Sequence, residues 1–154
     1  MDLRFENTCK PPASKGMKSF EQEWNIKLPD EYKEFLCKNN GGNPTVRRFK
    51  TLDGKHTSSL TLLLPFSEEV RKNVKNVFFA FHTNHVIPSN FLIIGEDPID
   101  NKICLSLSKE DAGAVYYWRL DMEDIYKEGY QPSYTYFSII ANSFTEFINS
   151  LKEK

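Results

Sequence analysis

Leu28-Pro29-Asp30-Glu31-Tyr32-Lys33-Glu34-Phe35-Leu36, running into Asn39-Asn40-Gly41-Gly42, is the stretch that decides the fold. Proline suits the first turn of a helix, because its missing N–H has no partner there in any case. Asp30 and Glu31 follow where the helix dipole favours negative charge. Tyr32, Phe35 and Leu36 recur at i, i+3 and i+4 and form one apolar face. Glycine takes the left-handed cap conformation without steric cost, so Gly41-Gly42 reads as the stop. The result is a short helix with one buried face and both ends written locally.

Working outward, Met17, Phe20 and Trp24 recur at i, i+3 and i+7 and predict an amphipathic helix just upstream. Residues 1–13 are polar and end in Lys10-Pro11-Pro12, which reads as a loosely held arm, with one domain over 14–154. Downstream, Val46 to Leu52 reads as extended chain, followed by the tight-turn dipeptide Asp53-Gly54. Leu60, Leu62, Leu64 and Phe66 alternate with Thr61, Leu63 and Pro65, and Pro65 belongs at a strand end because it donates nothing to a ladder. Ser67-Glu68-Glu69 reads as the cap and first turn of a helix through Val70, Val74, Val77 and Phe78 to about Phe81.

Phe91 to Ile94 is a short apolar strand. Ile103, Leu105 and Leu107 alternate with Cys104 and Ser106, a half-buried strand by its period. Val115 to Leu120 is another strand, with Gly113 placed for a hairpin between the two. Residues 121–135 read as loop, and Tyr136 to Ala141 as extended or mixed. Ser143-Phe144-Thr145-Glu146 fits the capping-box pattern, and Phe144, Phe147, Ile148 and Leu151 make the stripe of a last helix. Helices at both ends of a run of strands predict an α+β domain, an antiparallel-rich mixed sheet flanked by helices.

The composition agrees with one such domain. The chain has 154 residues, 40 % hydrophobic and 27 % charged, which is globular rather than disordered. Twenty bases against twenty-one acids leave a net charge of −1, whereas a general nucleic-acid binder needs a surplus that neutralises phosphate. No apolar run approaches the roughly 20 residues of a membrane helix, and Met1 to Asn7 lacks the apolar stretch of a signal peptide. The expectation is a soluble cytoplasmic domain. Cys9, Cys37 and Cys104 are odd in number and without a CxxC pair, and read as three reduced thiols, two of them in the core.

Three pieces in order resemble the SUKH superfamily, the Smi-one/Knr-four-like proteins. They are Leu28 to Leu36 with Asn40-Gly41-Gly42; Ile87-Pro88 with Phe91 to Asp97, then Ile103 to Leu107 and Val115 to Trp118; and Ile140 to Ile148. The turn Asp97-Pro98-Ile99-Asp100-Asn101 lacks a glycine often found there, and the helix before Leu28 is short. The resemblance implies an α+β sheet flanked by helices and protein binding without catalysis or cofactor. Many bacterial members are immunity proteins that neutralise a cognate polymorphic toxin, frequently a nuclease or deaminase. Fungal relatives are regulatory hubs, so a regulatory or scaffold module with an endogenous partner is the alternative.

Charge is unevenly spread. Met1 to Ile94 carries fourteen bases and ten acids, whereas Gly95 to Glu128 carries nine acids and four bases. An acidic surface suits a partner built to hold phosphate and speeds encounter. Tyr116, Tyr117, Trp118, Tyr126, Tyr130, Tyr134 and Tyr136 lie close by, and tyrosine and tryptophan are frequent hot-spot residues. The candidate contact residues are Asp97, Asp100, Glu110, Asp111, Tyr116, Trp118, Asp121, Glu123, Asp124 and Tyr126. The plainer alternative is that the loop acids are merely solvated and Tyr117 and Trp118 face core and sheet.

Catalytic patterns are thin. His82 and His85 have HxxH spacing, but zinc wants three or four ligands. Asp97 and Asp100 as an acid–base pair compete with a reading as turn residues. Ser106 and Ser108 lack a nucleophile elbow, Gly41-Gly42 is no phosphate loop, and Arg47-Arg48 with Lys50 is a small basic spot.

Overall fold

The computed structural model describes residues 2–153. Met1 of the expected arm and Lys154 of the expected domain lie outside the described residues. Four helices, α1 (Ser14–Trp24), α2 (Asp30–Lys38), α3 (Val74–Thr83) and α4 (Phe144–Ser150), pack around three sheets. The largest sheet is a meander of β5 (Leu62–Leu63), β6 (Phe91–Glu96), β7 (Lys102–Ser106), β8 (Val115–Trp118) and β9 (Phe137–Ala141), in that spatial order. Two separate two-stranded sheets accompany it: β1 (Phe5–Glu6) with β2 (Asn43–Pro44), and β3 (Arg48–Lys50) with β4 (Thr57–Ser59). Every described pairing is antiparallel.

Directly opposed residues share a face of the sheet. One face therefore carries Phe91, Cys104, Ser106, Tyr116, Trp118 and Phe137, and the other Ile103, Leu105, Tyr117 and Ser138. Helix α3 covers part of the first face, with Phe81 edge-on to Trp118. Strand β3 and α4 cover the second, where Phe49 meets both Tyr117 and Phe147. With cover on both sides, every residue of β7 is buried, so the alternation expected to mark a half-buried strand marks a fully buried one. The small side chains of Cys104 and Ser106 leave room for large rings to lean across: Phe91 stacks on Phe137 at 4.4 Å and Phe137 on Trp118 at 5.1 Å.

Helix α2 forms where the sequence places it and buries Tyr32 and Leu36 completely. Its glycines do a different job from the one expected. The helix ends at Asn39 in extended conformation, and Gly41 and Gly42 follow at φ 78° and 108°. A Cβ at Gly41 would sit 2.6 Å from the backbone N of Pro65, and one at Gly42 would sit 2.4 Å from the carbonyl of Glu6. The glycines let three chain segments cross in contact. Gly41→Ala is expected to cost about 1–3 kcal/mol from its left-handed backbone alone, with the clash against Pro65 in addition. Urea unfolding checks this: the midpoint falls while the slope is unchanged, and an unaltered midpoint contradicts it.

Several local expectations shift. Residues expected to form a loose arm are tied down: β1 pairs with β2, Cys9 N–H donates to Asn40 at 3.0 Å, and Phe5 packs edge-on to Phe35 at 5.4 Å. The run Leu60 to Phe66 is divided between sheets, so Leu63 rather than Leu62 is buried. Helix α3 begins at Val74 rather than near Ser67, because Asn73 supplies the cap, accepting from Asn76 N–H at 2.9 Å. The Ser67 hydroxyl makes only a local turn with Glu69 N–H. Of the cysteines, Cys104 alone is buried; Cys9 is half-buried and Cys37 exposed.

The last helix follows its sequence closely. Ser143 Oγ accepts from Glu146 N–H at 3.1 Å, and Glu146 reaches back to Asn142 N–H at 3.2 Å. Glu31 of α2 also accepts from Thr145 N–H at 3.0 Å, which fastens α4 to α2.

Candidate functional site

Strand pairing separates the acidic segment into two groups. Asp97 and Asp100 lie in the β6–β7 turn, and the side chain of Asn101 accepts from Asp121 N–H at 2.8 Å, which holds Asp121 against that turn. Glu110 and Asp111 lie in the β7–β8 hairpin at the other end of the same strands. The five residues of β7 between them span roughly 13 Å at about 3.3 Å per residue.

At the first end, Asp97 is buried and fully engaged. Its carboxylate accepts from Tyr117 Oη at 2.6 Å, Ser58 Oγ at 2.8 Å, and the N–H groups of Ile99 and Asn101 at 3.0 and 2.8 Å. It is the anchor of the turn, so burial removes it from the expected contact residues. Beside it Lys102 reaches Glu96 at 3.0 Å and Asp100 at 2.9 Å, with Phe81 beneath its ammonium at 5.7 Å. Lys72 closes on the other Glu96 oxygen at 3.0 Å. Burial opposes the charge of Lys102, but hydrogen bonds and attraction from Asp100 and Glu96 outweigh it and hold its pKa above the usual lysine value. Asp100 stands below the usual aspartate value: burial works against ionisation, and Lys102 overcomes it. Asp100 also takes the left-handed φ of 67° within this glycine-free turn.

Trp118 is likewise withdrawn. It is fully buried between Phe137 and Phe81, and its indole N–H donates to Glu123 at 2.9 Å. Glu123 is thereby half committed to the interior. Asp121 and Asp124 are exposed, and near them are the exposed apolar side chains of Met122 and Tyr126, the latter 94 % exposed. Ile99 is exposed in the adjoining turn.

At the second end, Glu110, Asp111 and Tyr116 come together, as the sequence did not specify. Asp111 accepts from Tyr116 Oη at 2.6 Å and from Ser106 Oγ at 2.5 Å, while Ser108 Oγ donates to Glu110. These three residues line an open cavity of about 370 Å³ with Asn90, Phe91, Ser108, Tyr134 and Phe137. Tyr134 arrives there because the 121–136 loop crosses the sheet face: Tyr130 Oη donates to Val86 O at 3.3 Å and Tyr134 Oη to Asn90 at 2.8 Å. The tyrosine-rich composition of that loop was the one sequence signal for these residues. Among the described residues, Asp100 is the one candidate acid that makes an ion pair.

The groups named as catalytic alternatives do not converge. His82 stacks on Phe78 at 3.8 Å and its Nε2 lies 2.7 Å from the Phe91 carbonyl, at the start of β6. Burial lowers its pKa, favouring the neutral ring that donates there. Asp97 follows the far end of β6, about 20 Å along extended chain. His85 lies beyond the end of α3 at φ 54°. The Cys104 thiol is buried, and that burial raises its pKa. Among the described residues no group of three or more His, Cys, Asp or Glu is placed to hold a metal ion, and no helix is long and apolar enough to cross a membrane. A concavity of about 720 Å³ lies between the start of α2 and the β7–β8 hairpin and contains none of the expected contact residues.

A helix-flanked antiparallel meander, whose acids stand at both ends of its central strands, is thus the setting of the site. Residues 11–150 match the SMI1 / KNR4 family (SUKH-1), and the chain belongs to that family. No curated protein matches the chain at a significant level.

Proposed function

We propose that this protein is a non-catalytic binding domain of the immunity type, which binds a cognate bacterial toxin domain in the cytoplasm and blocks its active site. The observation that carries this reading is the set of exposed acids, Glu110, Asp121 and Asp124, with half-buried Asp111, that have no ion-pair partner among the described residues. A protein pays in self-repulsion for unpaired charge on one flank, and a basic partner recovers that energy. A toxin that acts on nucleic acid, a nuclease or deaminase, presents a surface built to hold phosphate. Carboxylates here imitate that phosphate and steer the encounter above the ~10⁵–10⁶ M⁻¹s⁻¹ of uncharged partners. The exposed Ile99, Met122 and Tyr126 supply apolar contact beside them. A tight complex buries about 1,600 Å², roughly 800 Å² on each partner, enough to reach from one acidic end of the flank to the other.

Co-expression with the toxin domain encoded beside this gene is the test. Survival of the host is expected with the native protein. The double change Asp121→Lys and Asp124→Lys is expected to slow association at least tenfold at low salt and to leave the melting temperature unaltered. Failure to neutralise any neighbouring toxin, or full neutralisation by the charge-reversed protein, contradicts the proposal. Recovery of an endogenous partner with no toxin neutralised points instead to a regulatory module.

A further inference from the structure

The cavity beside the β7–β8 hairpin has walls and a floor of a particular chemistry. Phe91 and Phe137 stack at 4.4 Å, Tyr116 meets Phe91 edge-on at 5.1 Å, and Tyr134 stands edge-on to both phenylalanines at 5.9 and 6.2 Å. Glu110 and Asp111 lie on the same rim. Tyr134 is 60 % exposed, so an aromatic ring is presented to solvent rather than buried. At about 370 Å³ the cavity falls in the lower part of the roughly 300–1,000 Å³ range of ligand pockets.

Aromatic faces carry negative potential and attract cations, and carboxylates add full charge. Each Asp111 oxygen accepts one internal hydrogen bond, and Glu110 uses one oxygen on Ser108, so acceptor capacity remains on both. The hydrogen bond from Ser108 and that from its own backbone hold Glu110 below the usual glutamate range, so it is charged near neutrality. The site offers few donors, since the Tyr116 and Tyr134 hydroxyls are already spent on Asp111 and Asn90. An anion would be repelled by the Glu110 and Asp111 carboxylates on the rim.

We infer that this aromatic-walled cavity is a receptor for a guanidinium group, an arginine side chain that the partner inserts. Arginine fits better than lysine because its flat, weakly hydrated head stacks on rings while its fork of N–H groups meets carboxylates. The inference rests on the protein-binding reading only for the source of the arginine; the pocket chemistry stands by itself.

The experiment titrates the intact protein with N-acetyl-arginine-methylamide and follows the aromatic side-chain resonances. A saturable shift confined to Tyr116, Tyr134, Phe91 and Phe137 is expected. The neutral citrulline analogue, of nearly the same shape, is expected to leave them unmoved, and the lysine analogue to bind at least threefold more weakly. Glu110→Gln and Tyr134→Ala are each expected to weaken the arginine probe at least fivefold, and Tyr134→Phe to retain it. Both positions are exposed, so the folded state persists in these variants. Shifts that are linear or scattered, equal binding of citrulline, or lysine binding as tightly as arginine overturns the inference. Arginine binding with no toxin neutralised upholds the pocket and overturns the inhibitor reading. Neutralisation by a protein that binds no arginine overturns the pocket alone.

Discussion

Replacing Trp118 by alanine is expected to destabilise the protein by about 3–5 kcal/mol, the usual cost of emptying a large buried aromatic site. For a chain of this size that lowers the melting temperature by roughly 6–20 °C, at about 2–4 °C per kcal/mol. The cost has three sources in the structure. Stacking on Phe137 at 5.1 Å is lost, the edge contact to Phe81 is lost, and Glu123 loses the indole N–H that it accepts at 2.9 Å. Tyr126→Ala makes the contrast. That ring is 94 % exposed, so its removal is expected to change stability by less than about 0.5 kcal/mol. From the sequence, both aromatics are interface candidates, with a core- or sheet-facing position as the alternative for Trp118. Thermal unfolding followed by circular dichroism separates them, and equal melting temperatures contradict the packing described here.

Lys102→Met is expected to cost about 3–5 kcal/mol as well, for a different reason: removing one partner leaves a buried carboxylate with too little compensation. The Lys102 side chain is 6 % exposed and that of Glu96 is 10 % exposed, and Lys72 alone remains for Glu96 after the change. Adding Glu96→Gln to Lys102→Met is expected to recover part of the loss, a coupling that a double-mutant cycle reads directly. The same cluster sets a pH dependence. Lys102 has a raised folded pKa, so its contribution is complete below the ordinary lysine value of about 10.4 and disappears as pH climbs through the folded value. Asp100 has a lowered folded pKa, so its contribution is complete above about 3.9 and disappears as pH falls through the folded value. Lys102→Met therefore flattens the alkaline fall in stability, and Asp100→Asn flattens part of the acid fall while keeping a residue that tolerates φ 67°. Unchanged slopes in denaturant midpoints against pH contradict both statements.

Elements whose causes are local were legible. Helix α4 was readable because Ser143, Glu146 and the stripe of Phe144, Phe147 and Ile148 all lie within one short window. Helix α2 was readable for the same reason, but its glycines were not, since the contacts that require them come from Glu6 and Pro65. The start of α3 lies later than the Ser67 signal predicts, because Asn73 caps the helix and the distant Pro65 carbonyl accepts from Val74 N–H at 3.0 Å. The candidate surface was legible as charge but not as shape. A linear count of acids ignores strand pairing, which sends Asp97 and Glu110 to opposite ends of β7. It also ignores Lys72, which enters from outside the acidic segment to meet Glu96. Tyr134 and Asn90, which meet at the cavity, are separated by 44 residues, and no local pattern connects them.

Hydrogen exchange on the complex, captured by co-expression, tests the central claim most directly. The claim is that the partner sits on the flank bounded by the two acidic turns and the loop that joins β8 to β9. Slowed exchange at residues 98–101, 108–112 and 119–135, with little change in α1 and the first turn of α2, is the result predicted. Slowed exchange centred on α1 and the start of α2, with those three segments unaltered, contradicts it.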